Sequence, residues 1–376
     1  MKIKKIGAKK ILNSKKQPAI EITINNSFKG SAPSGTSKGK HEVSDYGRNG
    51  LIHAIRTINK NKDILNFEFN NFNDLRYIEK RFSSLGGNTV IALESALLKS
   101  ISSNSVWRFL NPRAYKLPRP LGNVIGGGLH VKGTSPDFQE FLLMPMSEDF
   151  YKNKRAMELI YNNIGKKLNY PKKTAESAFS PNLPNIEVIK LLKKTIEELE
   201  YHFDFPVHVG LDVASTSFYK NRFYNYKNFS KDIKNKKLNK ESQMIYINSL
   251  IEEFDLRYVE DPLYEEDFDG FSRLKGSLIC GDDLICTDIK RLKKAKINAV
   301  IIKPNQIGSL IKTKEIVDYC KKNNITPIIS HRSGETNDVL ISHLAVAWEI
   351  PFIKTGIMGS ERKAKLNELV KIEKEI

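Results

Sequence analysis

Three carboxylates and one lysine, each closing a short apolar run, are the residues of this chain best placed to do chemistry. Asp212 follows Val207-His208-Val209-Gly210-Leu211, Glu260 follows Leu256-Arg257-Tyr258-Val259, Asp282 comes after Leu278-Ile279-Cys280, and Lys303 follows Ala299-Val300-Ile301-Ile302. The separations are 48, 22 and 21 residues. The last two fit one strand plus one return helix, the repeat by which a (β/α) barrel delivers side chains to its C-terminal rim. Carboxylates brought to a common point repel one another unless a cation lies between them, and rigidly held oxygen donors suit Mg²⁺. The lysine beside them is a candidate base. A single strand ending in aspartate is more often a cap or loop residue, so the argument rests on four in order at barrel spacing.

The elements that would position these residues can be followed in both directions. Downstream, Pro327-Ile328-Ile329-Ser330-His331-Arg332-Ser333 and Phe352-Ile353-Lys354-Thr355-Gly356 are strand-to-loop transitions that keep the barrel rhythm, with 28 residues from Lys303 to His331 and 23 more to Lys354. Upstream, Gly126-Gly127-Gly128-Leu129-His130 is a flexible turn carrying a histidine, Gln139-Glu140-Phe141 opens a strand, residues 151–168 read as a helix, and Thr174-Ala175-Glu176-Ser177-Ala178 is a loop. The proline-bearing stretch from Asn111 to Pro120 is the best boundary. We expect an N-terminal α+β domain over 1–115 and a barrel over 116–376. In the first, residues 2–30 read as two or three strands, with alternation through Ala19-Ile20-Glu21-Ile22-Thr23-Ile24, and Leu51 to about Ser103 reads as helical. Between them, the hydroxyl- and glycine-rich loop 31–40 is either a plain linker or a mobile lid.

Composition bounds the rest. The 376 residues suffice for a barrel of ~250 residues and a smaller domain. No apolar run reaches the ~18 residues of a membrane span, and the Met1-Lys2-Ile3-Lys4-Lys5 start has no apolar leader segment, so we expect a cytoplasmic protein without membrane partners. Three cysteines, Cys280, Cys286 and Cys320, are too few and wrongly spaced for a disulfide framework or a zinc site and read as core thiols. The net charge of +18 is spread through lysine- and asparagine-rich segments, which favours solvated faces over a nucleic-acid surface while leaving the latter open.

Taken in order, these segments resemble the enolase (phosphopyruvate hydratase) family along nearly the whole chain. The resemblance is carried by Pro33-Ser34-Gly35-Thr36-Ser37-Lys38-Gly39, Gly127-Gly128-Leu129-His130, Gln139-Glu140-Phe141, Glu260-Asp261-Pro262, Gly281-Asp282-Asp283-Leu284, Lys303-Pro304-Asn305-Gln306-Ile307-Gly308, Ser330-His331-Arg332-Ser333-Gly334-Glu335-Thr336 and Ile353-Lys354-Thr355-Gly356. It implies an α/β fold, an enolase-type (β/α)8 TIM-like barrel whose early strands depart from simple alternation, preceded by the smaller α+β domain. It further implies reversible dehydration of 2-phosphoglycerate to phosphoenolpyruvate with two Mg²⁺ per site, in a homodimer or higher homo-oligomer. By position, Asp212, Glu260 and Asp282 match ligands of one metal and Ser37 a ligand of the second. Lys303 matches the base, and Glu176, partnered by Glu140, the acid. His130, Gln139, His331, Arg332, Ser333 and Lys354 match residues around the substrate. The chemistry asks for such a set: a lysine of lowered pKa, a carboxyl kept protonated by a neighbour, and cations at the substrate carboxylate.

The chain departs from the family's pattern at three places. Gly-Asp-Glu-Gly-Gly around the acid becomes Thr174-Ala175-Glu176-Ser177-Ala178, Ser-Arg-Gly-Asn-Pro becomes Ser14-Lys15-Lys16-Gln17-Pro18, and an acidic position becomes Asn337. Loss of glycine restricts the backbone, so the Glu176 loop is expected to sit or move differently. Two other readings stay open: an enzyme of the same superfamily acting on another acid, and a non-catalytic enolase-like protein that binds through its basic surface.

Overall fold

Alternation in the first thirty residues produces a three-stranded antiparallel meander in the computed structural model, which describes residues 1–35, 39–61, 63–131, 133–276 and 278–376. Its strands are β1 (Ile6–Leu12), β2 (Pro18–Ile24) and β3 (Phe28–Ser31). Ala19, Ile20, Ile22 and Ile24 are buried, giving the sheet one apolar face. Helices α1 (Gly50–Lys60), α2 (Leu75–Phe82) and α3 (Gly87–Ile101) follow. From Gly87 to Ser100 every residue of α3 is buried, as expected of a helix enclosed on all sides. The sheet covers one side of it at very close range: a Cβ on Gly30 would lie 2.1 Å from the Ala92 carbonyl oxygen, a distance only glycine tolerates.

The other side of α3 meets the barrel through polar contacts. Glu94 accepts the Leu310 N–H at 3.1 Å, and Asp338, in the loop after Glu335, accepts from Ser31 N (2.9 Å), Ser95 Oγ (2.9 Å) and Lys99 Nζ (2.7 Å). One carboxylate thus ties β3 and α3 to a barrel loop that also carries site residues.

The barrel closes from eight strands. These are β4 (Arg119–Gly126), β5 (Glu140–Pro145), β6 (Val207–Asp212), then, after the strands of a small excursion numbered β7 (Tyr219–Lys220), β8 (Phe223–Tyr226) and β9 (Lys236–Leu238), β10 (Tyr258–Glu260), β11 (Leu278–Gly281), β12 (Ala299–Ile302), β13 (Thr326–Ser330) and β14 (Phe352–Gly356). Around the ring the order is β10-β11-β12-β13-β14-β4-β5-β6. All pairs are parallel except those of β5, which runs antiparallel to both β4 and β6. Residues 127–139 connect β4 to β5 with only a single short turn of helix; without a crossover helix the second strand has to return in the opposite direction. The reversal has a chemical consequence. Glu140 begins β5 yet pairs with Asp212, which ends β6, so both reach the same rim. The long interval between Asp212 and Glu260 is filled by the antiparallel β7-β8-β9 sheet and the helix Lys240–Phe254.

Inside the ring, Leu121, Leu142, Tyr258, Ile301 and Ile328 form a closed apolar plug, and the other faces of the strands pack under the helices. All three cysteines are buried and free, in agreement with the reading of them as core thiols.

Burial alone would raise the Asp338 carboxyl, but the Lys99 ammonium and the donated hydrogen bonds outweigh it and hold it below the usual range. A depressed carboxyl stabilises the fold above its unfolded pKa of about 4 and stops doing so as pH falls through its folded value. Asp338→Asn is therefore expected to lower unfolding free energy by about 3–5 kcal/mol at pH 7. The gap from the unsubstituted protein should narrow in denaturant titrations repeated below pH 4.

Candidate active site

The mouth of the barrel is organised by a buried ammonium group. Lys354, in β14, places Nζ 2.6 Å from Glu260 Oε2, 2.8 Å from Asp212 Oδ2 and 3.1 Å from Glu140 Oε2. Burial pushes the Lys354 pKa down, but the three carboxylates carry it well above the ordinary lysine value. Glu260 is completely buried; desolvation first, then the charge of Asp212, raise its pKa to about 8. Tyr258, two residues earlier on β10, donates its hydroxyl to Glu260 Oε2. Gln139 steadies Asp212 through Nε2 to Oδ2 at 3.1 Å.

Asp282 lies immediately beyond β11 and faces Lys303, immediately beyond β12, in direct ion contact. Asp261 fixes the turn that carries it, accepting the backbone N–H groups of Asp282 (3.0 Å) and Asp283 (2.7 Å). Gln306 donates to Asp282 Oδ1 at 3.1 Å. The lowered lysine pKa anticipated from neighbouring cations is not what this arrangement produces. Burial, Arg332 and Lys354 do act downward on Lys303, but Asp282 is close enough to overcome them and raises it.

Across the mouth, Glu176 is buried and accepts from Asn123 Nδ2 at 3.1 Å, with His130 Nδ1 3.9 Å and His331 Nε2 3.8 Å away. Its pKa and that of Glu140 are driven apart. Burial acts upward on both, but His130, His331 and Arg362 pull Glu176 well below the carboxylate range, whereas the charges of Glu176 and Asp212 add to burial at Glu140 and leave it well above. The two carboxyls are close, with an oxygen of each and a ring nitrogen of His130 all within 4.8 Å of one another. Burial also drives the His331 pKa well below the usual histidine value.

The Glu176 loop also answers what the missing glycines do. Of the three positions where the family carries glycine, only Ser177 has a left-handed backbone, φ +63°. Thr174 closes the turn with its side chain, its Oγ1 accepting the Glu176 N–H at 3.2 Å. Lys16, at another family glycine position, is likewise left-handed, φ +57°. Both positions thus carry left-handed backbone with a side chain on it, at some strain.

His331, Arg332 and Ser333 follow β13 directly. Arg332 is clamped by Glu42 (2.8 and 3.0 Å), and Arg362, on the helix Ser360–Glu373, braces the Ser333 and Arg332 carbonyl oxygens at 2.8 and 3.3 Å. Glu42 and Arg362 escaped the sequence reading. Glu42 stands three residues beyond Gly39 in the lid segment, a spacing with no local meaning, and an arginine in a lysine-rich helix does not announce that it is buried. Of the residues singled out in the sequence, Ser37 lies outside the described residues. The rest converge on one cleft or, for Glu260, on the Lys354 ammonium that lines it.

The donor set suits a hard divalent cation: Asp212, Glu260 and Asp282 offer only oxygen, and Glu260 Oε1 is buried with no hydrogen-bond partner among the described residues. The three do not form a ready-made cage, because Lys354 occupies the approach to Asp212 and Glu260, while Asp282 lies with Asp261 and Asp283.

Fold and cleft define a capped α/β-barrel enzyme with an acidic, lysine-bearing mouth. Its barrel, residues 114–376, matches the family described as "Enolase, C-terminal TIM barrel domain". Proteins named enolase from Methanosphaera stadtmanae and Methanothermobacter thermautotrophicus are 35% and 36% identical, each aligned over 100% of this chain and 97% of its own length. One from Picrophilus torridus is 36% identical over 100% of this chain and 99% of its own. The chain belongs to the enolase family, the phosphopyruvate hydratase lyases, and resembles its archaeal members.

Relief of the left-handed strain gives a direct test of the loop. Ser177→Gly is expected to stabilise the fold by about 0.5–1 kcal/mol, read as a higher denaturant midpoint at unchanged slope.

Proposed function

We propose that the protein catalyses the reversible dehydration of 2-phosphoglycerate to phosphoenolpyruvate, a step of glycolysis and gluconeogenesis. The observation that carries this reading is the placement in one cleft of a lysine immediately beyond β12 and, four strands round the ring, Glu140 with Glu176 beside it, with cationic anion handles between them.

In this reading Lys303 Nζ removes the proton from the carbon beside the substrate carboxylate. As an ammonium it cannot take that proton, so it first gives one up to solvent, a loss that Asp282 opposes while the two are paired; Asp212, Glu260 and Asp282 would hold Mg²⁺, with Ser37 contributing to a second ion. Bound metal supplies positive charge at the substrate carboxylate, which the weak acidity of that proton demands. A proton carried by the Glu140 and Glu176 pair passes from Glu176 to the departing hydroxyl, since hydroxide leaves only when protonated. Arg332, Ser333 and His331 receive the phosphate, Lys354 the carboxylate, and His130 and Gln139 close the cleft beside them. The Glu176 carboxylate left behind is stabilised by the two histidines and Arg362.

A cytoplasmic homo-oligomer fits this reading, and among the described residues no helix is long and apolar enough to cross a membrane. An enzyme acting on a substrate without phosphate would leave the buried Arg332 cation without purpose. A purely binding role would not need the Lys303, Glu140 and Glu176 constellation to be retained.

Purified protein is expected to form phosphoenolpyruvate from 2-phosphoglycerate with Mg²⁺ and to stop when a chelator is added. Lys303→Ala should lower kcat by about 10²–10⁴-fold with circular dichroism and thermal midpoint retained. An unchanged rate in that variant would refute the assignment of the base.

A further inference from the structure

We propose that Glu42, contributed by the N-terminal unit, is the positioning residue that aims Arg332 at the phosphate of the substrate. The inference rests on the proposed reaction for the identity of the anion, and on geometry alone for the clamp.

Glu42 Oε2 accepts from Arg332 NH1 at 2.8 Å and Oε1 from NH2 at 3.0 Å, and both side chains are 3% exposed. This is a planar two-bond pair in which carboxylate and guanidinium shapes match. A guanidinium has five N–H bonds. Glu42 takes one from each terminal nitrogen, and Asn305 Oδ1 accepts from NH1 at 3.4 Å. What remains is the Nε hydrogen and the second hydrogen of NH2, which point the same way and form a two-pronged edge able to receive two oxygens of one phosphate. Asn305 is itself tethered to the N-terminal unit, donating to the Pro33 carbonyl at 2.9 Å and to Asn88 Oδ1 at 2.8 Å. Both residues that orient Arg332 are therefore set by the N-terminal unit, although the arginine belongs to the barrel.

The clamp also reports where the lid segment lies. Glu42 Oε1 accepts the Gly39 N–H at 3.0 Å, and the Gly39 backbone comes so close to the turn after β11 that a Cβ would lie 2.4 Å from Cys286 Sγ. Gln306 spans the gap between Glu42 Oε1 (3.5 Å) and Asp282 Oδ1 (3.1 Å), and is held by Thr287, whose hydroxyl oxygen also accepts the Lys303 N–H. Glu42 is thus held by backbone and side-chain donors besides the arginine, which fixes the carboxylate that orients Arg332.

The test uses Glu42→Gln, which keeps the shape and removes the charge, and Glu42→Asp, which keeps the charge on a shorter stem. Full-length proteins are compared by calorimetric titration with inorganic phosphate, by KM and kcat for 2-phosphoglycerate, and by thermal midpoint. For Glu42→Gln the phosphate Kd and the KM are expected to rise about 10- to 100-fold, the scale of a charge-assisted hydrogen bond, with kcat little changed; Glu42→Asp should fall between that variant and the unsubstituted protein. Unchanged phosphate affinity, with or without a lower thermal midpoint, would overturn the positioning role. So would tighter binding, which would mean that Glu42 competes with the anion. If the unsubstituted protein makes no phosphoenolpyruvate yet Glu42→Gln weakens its phosphate binding, the proposed reaction fails and the clamp stands.

Discussion

A single ammonium group closes the charge balance at the barrel mouth. Lys354 reaches from β14 to Glu140 on the reversed strand, Asp212 on β6 and Glu260 on β10, four strands joined by one buried cation. An ion stripped of water without such partners costs several kcal/mol, so the strands cannot be separated from their charges independently. Burial and mutual repulsion raise two of the three carboxyls, Glu140 well above its normal pKa and Glu260 to about 8. The same crowding gives the cleft its chemical capacity, because oxygens held close against their mutual repulsion are the ones a divalent ion stabilises most.

That arrangement depends on the one irregularity of the barrel. Eight parallel strands would put the start of the second strand at the far end from the end of the third. Because β5 runs backwards, Glu140 sits beside Asp212 and within reach of Glu176, so a close carboxyl pair is built next to a cluster of would-be ligands. The N-terminal unit completes the mouth from above. Asp338 locks β3 and α3 onto the loop that follows His331-Arg332-Ser333, while Ser34 and Gly334 exchange backbone hydrogen bonds at 2.8 Å in both directions. The strand end that holds the anion handles is thus braced from both units.

Drift in the chain has been absorbed where the frame is strongest. Lys16 and Ser177 take left-handed backbone at positions where the family has glycine, each at a cost of order 1 kcal/mol. Behind Ser177, the Glu176 loop is backed by β14 and the following turn: a Cβ on Gly356 would lie 2.9 Å from the Glu176 carbonyl oxygen, and one on Gly359 3.0 Å from Ser177 Oγ. Surroundings this close leave the loop one path, which its sequence then has to follow.

The chain by itself determined the strand-ending residues and their rhythm. Asp212, Glu260, Asp282, Lys303, His331 and Lys354 announce a common rim because strand and helix periods are local properties of sequence, and the family strings place His130, Gln139, Glu140 and Glu176 beside them. Only the tertiary structure decided how those groups share charge. The Glu140 pKa is driven up and that of Glu176 down, Asp282 raises that of Lys303, and Lys354 stands among Glu140, Asp212 and Glu260, because pKa values answer to burial and to the neighbours that the fold brings together. Glu42, Arg362 and Asp338 were illegible for the same reason. Charged residues in polar-looking segments carry no signal of burial until the other domain or the C-terminal helix folds against them.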